Sequence, residues 1–138
     1  MKKMLFVFCL FLGFFSFSFG DEGNACLGTY SAEHTMPIEK EFIVNLKPNN
    51  PDNPRTGGYA KFNLSILYSE KNAAKELAVK MDIIRHVIND VISGFLATDL
   101  QGANGRCKFF MAATASINAI LTDSSIVGLV SPSFVIQP

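Results

Sequence analysis

The chain has 138 residues with 12 basic and 12 acidic side chains. That length is enough for one modest domain, with no room for two cores. The balanced charge lacks the basic footprint that nucleic-acid binding needs, and no nucleic-acid partner is expected.

The first twenty residues set the compartment. Lys2 and Lys3 are followed by an apolar run from Met4 through Phe15, then by Ser16–Gly20 with small residues at Ser18 and Gly20. A basic start, an apolar stretch and a small-residue end describe a secretory signal peptide, cut before Asp21. The competing reading is a short membrane anchor, because Met4 to Phe19 carries no charge and falls just short of a bilayer span. Removal of the leader leaves 118 residues, with ten basic against twelve acidic side chains.

Residues 21–36 are small, polar and aperiodic, and are expected to form a flexible linker. The globular domain is then expected to cover 37–138. Phe42-Ile43-Val44-Asn45-Leu46 reads as a short strand. Lys47 to Gly58 holds Pro48, Pro51, Pro54 and Gly57-Gly58, which excludes ladder or helix and predicts an exposed loop. Tyr59 to Tyr68 alternates, with Ala60, Phe62, Leu64 and Ile66 on one side, as a half-buried strand pairing antiparallel with the first does. The Asn63-Leu64-Ser65 triplet inside it is a chance match to a glycosylation acceptor.

Lys71 to Thr98 is the longest periodic stretch. Leu77, Met81, Ile84, Ile88, Val91 and Phe95 recur at spacings of three and four, widened by Val87 and Ile92, which predicts a long helix with one buried face. Ser69 suits its N-cap, and Asp82 suits a second start after a kink near Met81. Gly102 and Gly105 mark a turn over 98–105. A second helix is expected over Arg106–Leu121, burying Phe110, Ala113, Ile117, Ile120 and Leu121. Ile126 to Gln137 reads as the last strand, with Pro132 requiring an edge position or a bulge. The order ββααβ gives an α+β domain: an antiparallel sheet of about three strands packed against one long and one shorter helix.

Three cysteines are present, and Cys9 lies in the leader. Cys26 and Cys107 are disulfide candidates in an oxidising compartment. Such a bond would contribute about 3–4 kcal/mol in the chain-entropy model. The alternative is a buried Cys107 and a free Cys26.

No catalytic arrangement emerges. His34, in the linker, and His86, beside the core stripe, lie near no nucleophile elbow. Glu39/Glu41 and Glu70/Glu76 sit among lysines, as on an exposed face. Gly102-Ala103-Asn104-Gly105-Arg106 precedes a helix but lacks the lysine-serine pair of a phosphate loop and any strand before it. Two scattered histidines and two distant cysteines have no metal-ligand spacing. No enzyme activity, cofactor or metal is expected.

Several segments together resemble the FliL family of flagellar basal body-associated proteins, from about Pro37 to Gln137. They are Phe42-Ile43-Val44-Asn45-Leu46, Tyr59-Ala60-Lys61-Phe62, Ile83-Ile84-Arg85-His86-Val87-Ile88 through Asp99-Leu100, Gly105-Arg106, Ile117-Asn118-Ala119-Ile120-Leu121 and Phe134-Val135-Ile136-Gln137. The resemblance implies a non-enzymatic periplasmic domain with a stomatin-type (SPFH-like) fold. It further implies association with flagellar stator proteins (MotA/MotB-like), homo-oligomers or rings, and anchoring in the inner membrane if the leader is retained. Where the family usually has Arg-Asp on the long helix, this chain has Arg85-His86. On that basis Lys80, Arg85, His86, Asn89 and Asp90, on the helix's other face, become candidates for partner contact.

Overall fold

A computed structural model describes Cys26 and residues 28–138; the leader and its cleavage point lie outside the described residues. The domain is α+β, and residues 28–138 hold two small antiparallel sheets and three α-helices.

Six short strands are present: β1 (His34–Pro37), β2 (Phe42–Asn45), β3 (Tyr59–Phe62), β4 (Ser65–Tyr68), β5 (Gly128–Val130) and β6 (Phe134–Gln137). One sheet has the order β1-β4-β5 and the other β2-β3-β6. The second and third expected strands are therefore each divided between the two sheets, a further strand forms ahead of the first, and the expected order ββααβ becomes ββββαααββ. The pairings explain the division. Pro37 faces Ser65 and Phe42 faces Phe62, so four residues on the outer strand oppose two on the middle one. On the other side Val130 faces Ser65 and Phe134 faces Phe62, so Ser131-Pro132-Ser133 also oppose those same two. Extra residues on both flanks bend the outer strands, and the middle strand turns with them at Asn63-Leu64. Two hydrogen bonds hold this corner: the Ile38 N–H donates to the Leu64 carbonyl at 2.9 Å, and the Asn63 N–H to that of Ser133 at 3.0 Å. Pro132 sits at the bend between two edge strands, where no ladder donor is lost.

The first strand also begins earlier than expected. Residues 34–36, read as linker, pair with residues 66–68, and a 3-10 turn over Gly28–Ser31 precedes them.

The expected long helix is two helices, α1 (Ala73–Val79) and α2 (Met81–Ile92). Lys80 breaks them at φ −97° and ψ 11°. Ser69 does not cap α1; its hydroxyl instead accepts the Glu33 N–H at 3.3 Å. α2 stops at Ile92, six residues before the expected end. The Gly94 and Phe95 N–H groups bond three residues back, tightening the last turn, and the Asp99 carboxylate accepts the Leu96 N–H at 2.9 Å to start a new 3-10 turn over Ala97–Leu100. α3 runs over Ala103–Ile120. Gly105 lies in its first turn, where any Cβ would overlap the Asp99 carbonyl oxygen. This close approach lets α3 start directly against the 97–100 turn.

One contiguous core joins both sheets to the helices. Ile84, Ile88 and Ile92 are fully buried along α2, with Met81, Val87, Val91 and Phe95 packed partly against them. On α3 the buried line is Phe109, Ala113 and Ile117; Phe110 and Ile120, expected at the centre, are only half-buried. Phe109 is the hub of an aromatic cluster. Its ring meets those of Phe62 and Phe95 edge-on at 5.8 Å each, and Phe62 in turn stacks on Phe42 at 4.9 Å and on Phe134 at 5.1 Å. These offset and edge contacts add to simple burial. They tie β2, β3 and β6 to α3.

Candidate interaction surface

The candidate residues separate into two groups by what they touch. Lys80 and Arg85, expected to face outward, are both engaged within the domain. The break at Lys80 carries its side chain inward, where the ammonium reaches Glu76 Oε2 at 2.8 Å and donates to the Ile120 carbonyl at 2.8 Å. Arg85 lies with its guanidinium 4.1 Å from the Phe42 ring centre. It donates to the carbonyls of Lys40 at 2.7 Å and Glu41 at 3.3 Å. A planar, forked donor stacked on an aromatic face suits this role, since it satisfies two carbonyls of the bent 38–41 segment at once.

His86, Asn89 and Asp90 do face outward. His86 Nε2 and Asp90 Oδ2 are 3.2 Å apart one helical turn from each other, both well exposed. Such an exposed pair contributes little stability, so it is available to a partner at small cost. Beside it lie Ile83, 53 % exposed, and Val79, 78 % exposed at the end of α1. Two branched apolar side chains left in water are the kind of surface a partner covers. A groove of about 440 Å3 runs alongside, between Met36–Lys40 and the Ala78, Met81, Asp82 and Arg85 side of α1 and α2. A second set of exposed apolar residues, Ile43 and Val135, flanks Lys61 on the outer face of the β2-β3-β6 sheet.

The feature that sequence reading missed is Glu76. Paired with Glu70 in a lysine-rich stretch, it has the pattern of an exposed face, yet it is buried. Its carboxylate accepts the Thr122 N–H at 2.8 Å, the Thr122 hydroxyl at 3.0 Å, the Asp123 N–H at 3.1 Å and the Ser124 hydroxyl at 2.8 Å, in addition to Lys80. The Lys80 ammonium first, then the Thr122 N–H, hold the carboxyl far below the usual carboxylate range, against the opposing effect of burial. Glu70 makes a parallel contact with Ser125, and Asn118 brackets Ile126 by accepting its N–H and donating to its carbonyl. The loop after α3 is thereby fixed to α1. The signal that could have found Glu76 is the Thr-Asp-Ser-Ser run at 122–125, a set of hydroxyls and turn amides that needs an acceptor.

Cys26 and Cys107 are joined by a disulfide, with their Cα atoms 5.9 Å apart. His34, half-buried in β1, lies against the Tyr68 ring at a centroid distance of 5.1 Å. Among the described residues no group of three His, Cys, Asp or Glu side chains could hold a metal, and no helix is long and apolar enough to cross a membrane.

Residues 35–137 match the family model of the flagellar basal body-associated protein FliL. The chain belongs to the FliL family. It is also similar to a flagellar protein FliL of Aquifex aeolicus (strain VF5), at 25 % identity over 100 residues, covering 72 % of this chain and 59 % of that protein. The matched region thus spans less than two thirds of the relative's length. The FliL match begins inside β1 and ends with β6, so it takes in both sheets and α1 to α3.

Proposed function

We propose that this FliL-family domain is a non-enzymatic accessory of the flagellar motor, acting in the periplasm by binding other proteins. The observation that carries the reading is the family match over residues 35–137. In this proposal the partners are stator proteins of the MotA/MotB type, further copies of the same chain form an oligomer or ring, and the domain supports torque and motility. The leader either delivers the domain to the periplasm or holds it at the inner membrane. The stomatin-type likeness implied by the sequence resemblance belongs to the same proposal.

The contact surface proposed is the outward strip of Val79, Ile83, His86, Asn89 and Asp90. Lys80 and Arg85 are left out of it, because each donates to the domain's own backbone carbonyls. Deleting the gene and measuring swarming under load tests the reading. Reduced motility with fewer engaged stator units is expected; unchanged motility with normal stator occupancy would overturn it.

A further inference from the structure

We infer that Asn104 is a site of spontaneous deamidation, at which the Gly105 backbone nitrogen attacks the asparagine side chain, and that the isoaspartate so formed unseats α3 from the 97–100 turn. Asn104-Gly105 is the one asparagine-glycine pair in the chain, at the centre of the 102–106 stretch. Glycine has no Cβ to shield its nitrogen or restrict its backbone, so attack on the preceding side chain is least hindered there. Asn104 is exposed, and water reaches its amide.

Gly105 is the third residue of α3, and the first hydrogen bond of that helix runs from the Arg106 N–H to the Gly102 carbonyl at 3.1 Å. The Gly105 N–H therefore precedes the helical ladder and has no intrahelical acceptor to lose. Ring closure needs a ψ at Asn104 outside the helical range, so the first turn must open. It is lightly held. Gly102 at the N-cap has no side chain to accept a hydrogen bond, no acidic residue stands in the first turn, and Gly105 is a weak helix former. Opening it leaves the buried line of Phe109, Ala113 and Ile117 in place.

In the open turn the Gly105 nitrogen bonds to the side-chain carbonyl carbon of Asn104, and the bond from that carbon to the amide nitrogen breaks. The proton lost from the Gly105 nitrogen returns, through water, to the departing ammonia. Water then opens the succinimide ring at either carbonyl carbon, giving aspartate or isoaspartate, with no oxidant or reductant involved. The two products act oppositely. Aspartate places a negative charge in the first turn of α3, where none stands, and favours the helix. Isoaspartate routes the main chain through the side-chain methylene and so adds a carbon to the backbone ahead of Gly105. That residue already sits where a Cβ would overlap the Asp99 carbonyl oxygen, and the lengthened chain loses the seat.

The full chain is aged at mildly alkaline pH and sampled over time by peptide mapping with mass spectrometry, the aspartate and isoaspartate forms being separated by chromatography. A synthetic peptide of residues 101–106 is aged alongside. Asn104 is expected to convert on the order of tenfold faster than any other asparagine within 28–138, and more slowly than in the peptide, since the turn must open first. Chains carrying isoaspartate are expected to lose hydrogen-exchange protection over 106–109, whereas Asn104→Asp keeps it. Asn104→Gln, whose longer side chain closes a less favoured ring, is expected to keep both its mass and its protection on ageing. An unmodified Asn104 once the peptide has fully converted would overturn the inference. So would isoaspartate chains with undiminished protection over 106–109, or an equal loss of protection in aged Asn104→Gln.

Discussion

The Glu76 carboxylate and the Thr122 backbone N–H, 46 residues apart, meet at 2.8 Å, and through them the first helix grips the loop that delivers the chain to its last two strands. Because its folded pKa is depressed, Glu76 contributes stability that is fully present above the unfolded value of about 4.3 and is lost as pH falls from there toward the folded value. The urea midpoint should therefore drop on acidification below that value, and Glu76→Gln should lower the midpoint at neutral pH and flatten the acid dependence. Urea titrations of both proteins at a series of pH values check this.

Phe109 is the second point of leverage. Truncating a fully buried ring that contacts Phe62 and Phe95 should cost about 3–5 kcal/mol, whereas Phe110→Ala, at a half-buried ring, should cost roughly half as much. Urea unfolding of the two variants gives the ranking. An equal cost would mean that α3 is rotated about its axis.

This pair also marks where sequence reading reached its limit. The apolar spacing on α3 admits two adjacent stripes, and the choice between them is made by the sheet it meets, a long-range fact. On α2 the stripe was legible because Ile84, Ile88 and Ile92 repeat at strict i,i+4 spacing. The corner that splits each strand was half legible. Pro132 announces the break before β6, but nothing in Asn63-Leu64 announces one on the middle strand, which bends only because its neighbours carry extra residues. Lys80 and Glu76 were misplaced for a like reason, since an i,i+4 Lys-Glu pair has one appearance in sequence whether water or a distant loop covers it.

Gly105→Ala sets two effects against each other. Alanine favours a helix over glycine by about 1 kcal/mol, but the added methyl would overlap the Asp99 carbonyl oxygen. Forcing that turn apart should cost at least about 2 kcal/mol, so the variant should be net destabilised. A thermal melt with a raised Tm would contradict this account of how α3 seats against the 97–100 turn.

Arg85→Ala should cost about 1–2 kcal/mol, from two carbonyls left to water and a lost ring contact. Arg85→Lys should recover only part of it, since an ammonium cannot serve both carbonyls while stacked on Phe42. Thermal unfolding of the two variants measures the difference, and hydrogen exchange should localise it to 38–42.

The proposal that the outward strip of α2 is the docking surface is tested most directly by co-purifying stator units with the full-length chain from motile cells. Variants Ile83→Glu and Ile43→Glu are compared, both placed where the side chain is exposed and the fold is expected to tolerate the change. The account predicts that Ile83→Glu reduces recovery of stator units by tenfold or so, equivalent to about 1.4 kcal/mol, while Ile43→Glu leaves it unchanged. Normal recovery with Ile83→Glu, or loss with Ile43→Glu alone, would contradict it.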